Sequence, residues 1–125
     1  MREELIDELI SILGEDGFFA LTEAYAGIRL YVPGNPNNSD LPGTLGLDYS
    51  IRLSKRYPGS YIRVPMARAF RAVRHRERGA TNREIALRLG VREDSVEKLF
   101  RRGYQRDPEH FKKRSRKDPR QLDLL

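Results

Sequence analysis

The run Thr81-Asn82-Arg83-Glu84-Ile85-Ala86-Leu87-Arg88-Leu89-Gly90-Val91-Arg92-Glu93-Asp94-Ser95-Val96-Glu97-Lys98-Leu99-Phe100-Arg101-Arg102 carries more structural information than any other part of the chain. It opens as a capping box: the Thr81 hydroxyl can accept the Glu84 amide, and the Glu84 carboxylate can reach back to the Thr81 amide. A helix is expected from there to about Leu89. Gly90 follows it, where a left-handed turn favours a residue with no Cβ. A second helix is expected to begin near Arg92, with Glu93 and Asp94 in its first turn, where carboxylates suit the helix dipole. Ile85, Ala86, Leu89, Val91, Val96 and Leu99 supply the buried side. Ala86 is small enough to let the second helix cross the first, Val91 plugs the turn, and Val96 with Leu99 face inward. Together these features predict a helix-turn-helix.

Burying that set leaves Arg92, Glu93, Asp94, Ser95, Glu97, Lys98, Arg101 and Arg102 outward on the second helix. A recognition helix presents such residues to base edges in the major groove of duplex DNA. Arg92, Lys98 and Arg101 suit guanine or phosphate, and Glu93 or Glu97 suits the cytosine amino group. Thr81, Asn82 and Arg83, at the start of the first helix, suit backbone phosphates. The candidate DNA-binding residues are therefore Thr81, Asn82, Arg83, Arg92, Glu93, Ser95, Glu97, Lys98, Arg101 and Arg102. The acidic residues among them must pair with a neighbouring base-reading cation or point at bases, because phosphates repel them.

Upstream, Met66-Ala67-Arg68-Ala69-Phe70-Arg71-Ala72-Val73-Arg74 predicts a third helix. Pro65 stands at its start, where the missing N–H costs least, and Gly79 closes it. Met66, Phe70 and Val73 form its apolar stripe, while Arg68, Arg71, Arg74 and Arg78 divide between solvent and phosphate.

The remainder of the composition agrees with a soluble globular protein that meets a polyanion. Of the 125 residues, 38% are hydrophobic and 34% charged, and the formal net charge is +6. The charge is uneven. Residues 1–60 carry 5 Lys+Arg against 9 Asp+Glu, whereas residues 61–125 carry 19 against 9. A basic module that binds nucleic acid, joined to a more acidic one that meets something else, is the expectation. No apolar run approaches the ~18 residues of a membrane span. The opening Met1-Arg2-Glu3-Glu4 does not resemble a signal peptide, so a cytoplasmic location is expected. The chain has no cysteine, which removes disulfides, thiol catalysis and cysteine-based zinc sites. His75 and His110 are the only histidines, with no metal-ligand spacing around them. No phosphate-binding glycine loop or nucleophile elbow occurs. Neither an enzyme nor a bound metal or cofactor is expected.

The N-terminal half contains a repeat. Tyr25-Ala26-Gly27-Ile28-Arg29-Leu30-Tyr31-Val32-Pro33 recurs 32 residues later as Tyr57-Pro58-Gly59-Ser60-Tyr61-Ile62-Arg63-Val64-Pro65. Each copy reads as a helix, a glycine stop and a short alternating strand ended by proline. The helices are expected at about 18–25 and 45–57, with Gly34-Asn35-Pro36-Asn37-Asn38-Ser39-Asp40 as the loop between the copies. An N-terminal helix with Leu5, Ile6, Leu9, Ile10, Ile12 and Leu13 would cover the strands. A two-stranded ribbon with open edges invites a second subunit. Leu5, Leu9, Ile12, Leu30, Tyr31, Val32, Ile62 and Val64 are thus the expected homodimer residues. The fold class expected is mainly α with a small β ribbon: a helical and strand dimerisation region over 1–64, a three-helix DNA-binding domain over 65–102, and a basic tail over 103–125.

This order of parts resembles the Mor/C family of phage transcription activators. The strand motif is carried here by Gly27…Leu30-Tyr31-Val32-Pro33 and by Gly59-Ser60-Tyr61-Ile62-Arg63-Val64-Pro65, and the DNA-binding part by 66–102. The chain departs from the family in having Ala26-Gly27 and Pro58-Gly59 where the family often has a glycine pair. It also has Arg63 where the family strand has tyrosine. The resemblance implies a dimeric activator that binds upstream of phage promoters and recruits host RNA polymerase.

In the tail, Lys112-Lys113-Arg114-Ser115-Arg116-Lys117 is attracted to phosphates. Gln121-Leu122-Asp123-Leu124-Leu125 resembles the short peptide by which bacterial proteins dock on the sliding clamp. An adaptor, or a replication or packaging accessory, that docks on a host factor is the alternative function.

Overall fold

The computed structural model describes residues 2–106, which are mainly helical with one small antiparallel sheet. They divide into two compact units, between Ala67 and Arg68. The expected boundary at 64/65 lies three residues earlier. Among the described residues, no helix is long and apolar enough to cross a membrane.

The first unit begins with α1 (Arg2–Tyr25), which is two helical segments joined at Gly14, whose φ of 74° and ψ of 171° are not helical. The amphipathic N-terminal helix and the helix expected over 18–25 are these two segments. Strand β1 (Arg29–Val32) follows, then a single 3-10 turn, Pro36–Asn38, within the expected loop. The helix expected over 45–57 is instead α2 (Leu41–Leu45) and α3 (Leu47–Arg56), interrupted by Gly46 at φ 93°. Strand β2 (Ser60–Arg63) completes the unit. Leu9, Leu13, Phe18, Leu21, Leu41 and Leu53 are buried and fill its core with Val32 and Val64. A Cβ on Gly17 would lie 2.7 Å from Tyr49 Cε1, so this glycine sets how closely α1 approaches α3.

The two copies of the repeat pair with each other inside one chain. β1 and β2 are antiparallel, with Arg29 opposite Arg63, Leu30 opposite Ile62, Tyr31 opposite Tyr61 and Val32 opposite Ser60. Leu30 and Ile62 are equivalent in the repeat and also opposed in the ladder, so an approximate two-fold axis passes between them. At one end the ladder is irregular: Gly27 N–H donates to the Val64 carbonyl at 2.8 Å and Val64 N–H to the Ile28 carbonyl at 2.9 Å. Two residues there oppose one, a bulge. Alternation puts Val32, Ile62 and Val64 inward and Arg29, Tyr31, Tyr61 and Arg63 outward.

This arrangement corrects part of the expected dimer set. Leu9, Val32, Ile62 and Val64 are buried in the chain's own core and hold the fold together. Burying one such side chain contributes about 1.5–3 kcal/mol, which exposing it at an interface would forfeit in the monomer. Leu5, Ile12 and Leu30 are half-buried, and Tyr31 is exposed.

The second unit contains α4 (Arg68–Glu77), α5 (Asn82–Leu89) and α6 (Val96–Arg106). The helix expected from Met66 starts two residues later. Ala67 takes φ 47°, in the left-handed region that a residue with a Cβ enters at a cost, and this separates strand from helix. Met66 stays with the first unit: a Cβ on Gly27 would meet its sulfur at 2.6 Å. The core comprises Ala72, Val73, Ile85, Ala86, Leu89, Val96, Leu99 and Phe100, with Ala69, Ala80, Val91 and Tyr104 packed against it. Phe70, expected in the apolar stripe, is half-buried and outside this cluster, because α4 turns Ala69, Ala72 and Val73 inward. Arg71, expected on the polar face, is buried.

Candidate nucleic-acid interface

The start of α5 is held by the expected cap. Thr81 Oγ1 accepts the Glu84 amide at 3.1 Å, and Thr81 N–H donates to Glu84 Oε1 at 2.9 Å. The backbone hydrogen bond from Thr81, followed by the contact with its side chain, holds the Glu84 carboxyl below its usual value. At the other end Gly90 takes φ 69° and ψ 37°, and its amide and that of Val91 both donate to the Ala86 carbonyl. Arg92 is extended, and the chain re-enters helical geometry through a 3-10 turn, Glu93–Ser95, that runs into α6. The first turn expected for the second helix is therefore tighter than an α turn.

α6 packs chiefly on α4 and buries Val96, Leu99 and Phe100. Its opposite side exposes Glu97, Lys98, Arg101 and Arg102. Arg83, Arg92 and Glu93 are also exposed, whereas Asn82 and Ser95 are half-buried. Asn82, Arg92, Glu93, Asp94 and Glu97 line one shallow groove where the start of α5 meets the start of α6.

The acidic residues in that groove have partners. Asn82 Nδ2 donates to Glu97 Oε1 at 3.1 Å, and Arg92 Nη2 contacts Asp94 Oδ2 at 3.1 Å. Both members of the second pair are largely exposed, so it contributes at most about 1 kcal/mol and opens readily. Asn82 and Glu97, each a candidate for DNA, satisfy one another. Lys98, Arg101 and Arg102 are outward cations of α6.

Two features of this unit escaped the sequence reading. Phe100 is 2% exposed and is the largest fully buried side chain of the unit. The Arg76 guanidinium lies 4.6 Å from its ring centroid and donates to the Tyr104 hydroxyl at 3.5 Å. α6 also continues to Arg106, past the expected end at 102. Val96, Leu99, Phe100, Gly103 and Tyr104 repeat at helical spacing, a signal that the arginine pair at 101–102 interrupts only on the outer face.

Among the described residues no cluster of His, Asp or Glu side chains has the makings of a metal site. The basic run at 112–117 and the clamp-like peptide at 121–125 lie outside the described residues. No known protein family, curated protein or solved structure matches the chain.

Proposed function

We propose that this protein is a sequence-specific regulator of transcription that binds duplex DNA through a helix-turn-helix formed by α5, the Gly90 turn and α6. The observation that carries the reading is the division of α6: Val96, Leu99 and Phe100 are buried, while Lys98, Arg101 and Arg102 remain outward without an acidic partner among the described residues. Lys98 and Arg101 are assigned to phosphates and guanine edges, and Thr81 and Arg83 to the phosphate backbone at the start of α5. Thr81 keeps a hydroxyl hydrogen to donate, because its oxygen lone pair and amide serve the cap. The protein acts as a homodimer on two half-sites about one helical turn apart. The open edges of the two-stranded ribbon are the surface assigned to self-association. Activation by recruiting host RNA polymerase follows from the Mor/C resemblance.

Gel shifts on random and genomic duplex fragments, with the mass of the free protein measured by light scattering, test this. The expected result is a dimer whose DNA affinity falls steeply with salt. Lys98→Ala is expected to lower the slope of log affinity against log salt by about 1. Arg101→Ala is expected to relax base preference at its position. Absence of salt-sensitive binding to any duplex would overturn the reading.

A further inference from the structure

The outer face of the β ribbon has a composition that packing does not explain. Tyr31 and Tyr61 stand directly opposite each other, 48% and 57% exposed, with ring centroids 5.1 Å apart and planes tilted by 59°. Arg29 and Arg63 form the next rung on that face, beyond Leu30 and Ile62. The Arg29 guanidinium sits 4.1 Å from the centroid of the Tyr61 ring. Neither arginine forms an ion pair among the described residues.

Two like charges directly opposite in a ladder repel, and large exposed aromatic rings leave apolar surface in water. Here both costs are borne on the same face, in a unit whose residues 1–67 carry 6 Lys+Arg against 9 Asp+Glu. Acidic partners were available in sequence, yet neither arginine uses one among the described residues. An anion placed near the two guanidinium groups would relieve the repulsion, and flat aromatic groups laid on the rings would cover them. A nucleotide carries both: a phosphate and a base.

The tilt between the rings decides which kind of nucleic acid. Bases in a duplex are stacked in parallel and present only their edges to a flat surface. Rings inclined at 59° can each be covered only by bases splayed apart from one another. Bases free to do this belong to an unpaired strand.

We propose that the outer face of the ribbon is a binding platform for single-stranded nucleic acid. Tyr31 and Tyr61 stack bases, and Arg29 and Arg63 hold the phosphate between them. The platform is independent of the duplex-binding surface assigned to α6, and either can fail without the other.

Fluorescence anisotropy of the full-length protein with a short labelled oligothymidylate, an oligouridylate of equal length and a duplex tests the proposal. The double variant Tyr31→Ala/Tyr61→Ala is expected to weaken binding of at least one single strand about tenfold or more and duplex binding by much less, with circular dichroism unchanged. Tyr31→Phe/Tyr61→Phe is expected to retain single-strand binding, since the ring faces remain. Arg63→Ala is expected to reduce the single-strand salt slope by about 0.7. Lys98→Ala is expected to impair duplex binding and spare the platform. Comparison of the two oligonucleotides distinguishes DNA from RNA as the source of the strand. Unchanged single-strand affinity in the folded Tyr31→Ala/Tyr61→Ala protein would overturn the proposal, and so would an equal loss for single strand and duplex.

Discussion

The Asn82 side-chain amide donates to the Glu97 carboxylate at 3.1 Å, joining the first turn of α5 to the first turn of α6 across 15 residues of chain. This bond fixes the mouth of the groove where the two helices begin. It also gives the exposed Glu97 carboxylate a neutral hydrogen-bond donor. A double-mutant cycle with Asn82→Ala and Glu97→Ala, measured by urea unfolding, should return a coupling of about 0.5–1 kcal/mol, in the range of an exposed hydrogen bond to a charged group. Under the proposed function, Asn82→Ala should weaken binding to random duplex, because Glu97 is released. Glu97→Ala should strengthen it, because a negative charge is removed. The opposite order in gel shifts would show that Glu97 reads a base.

Tyr57 ties the end of α3 to α1. Its hydroxyl donates to Glu8 Oε2 at 2.8 Å, and Arg56 pairs with the other oxygen of the same carboxylate. Burial, then the hydrogen bond to Glu8 and the Glu8 charge, push the Tyr57 hydroxyl up to about 12. The folded state therefore holds this proton more tightly than the unfolded chain, whose tyrosines titrate near 10. The stabilisation is complete below pH 10 and is lost as the pH rises from about 10 to about 12. Tyr57→Phe should cost about 1 kcal/mol at neutral pH, from the lost hydrogen bond to a partly exposed carboxylate. The gap between wild type and variant should close across that alkaline window, as followed by urea unfolding at stepped pH.

Gly103 lies in α6, against α4. A Cβ there would meet Val73 Cγ2 at 2.6 Å and the Ala69 carbonyl oxygen at 3.2 Å. Alanine in a helix interior normally gains about 1 kcal/mol over glycine. Here the carbonyl is backbone and cannot swing aside, so overpacking of about 1–3 kcal/mol outweighs that gain. Gly103→Ala should therefore lower the thermal midpoint of the protein, as measured by circular dichroism. A rise would mean that α6 can move away from α4 at little cost.

Much of the second unit is readable along the chain because its determinants are local. The Thr81–Glu84 cap, the left-handed Gly90 and the inward set Ile85, Ala86, Leu89, Val96 and Leu99 depend on residues a few positions apart, and each appears in the structure. Where local signals compete, the reading misses. Pro65 suits the first position of a helix, yet Met66 is held against Gly27 and Ala67 turns left-handed before α4 begins. The basic tail is expected from 103, while the inner face of α6 runs on through Phe100 to Tyr104 and the helix ends at Arg106.

The repeat shows the same division at longer range. From sequence alone come the two strands, their glycine stops and their alternation, because a period of two residues specifies which side chains share a face. Whether those strands meet within one chain or between two is not a local property. The tertiary structure pairs them within the chain, with Leu30 against Ile62, and buries Val32 and Val64 beneath. That pairing takes up side chains that would otherwise have marked a subunit interface. It leaves outward two tyrosines and two arginines, and those facing each other across the ladder are 30 or more residues apart along the chain. Their juxtaposition follows from antiparallel register, which only the closed chain sets.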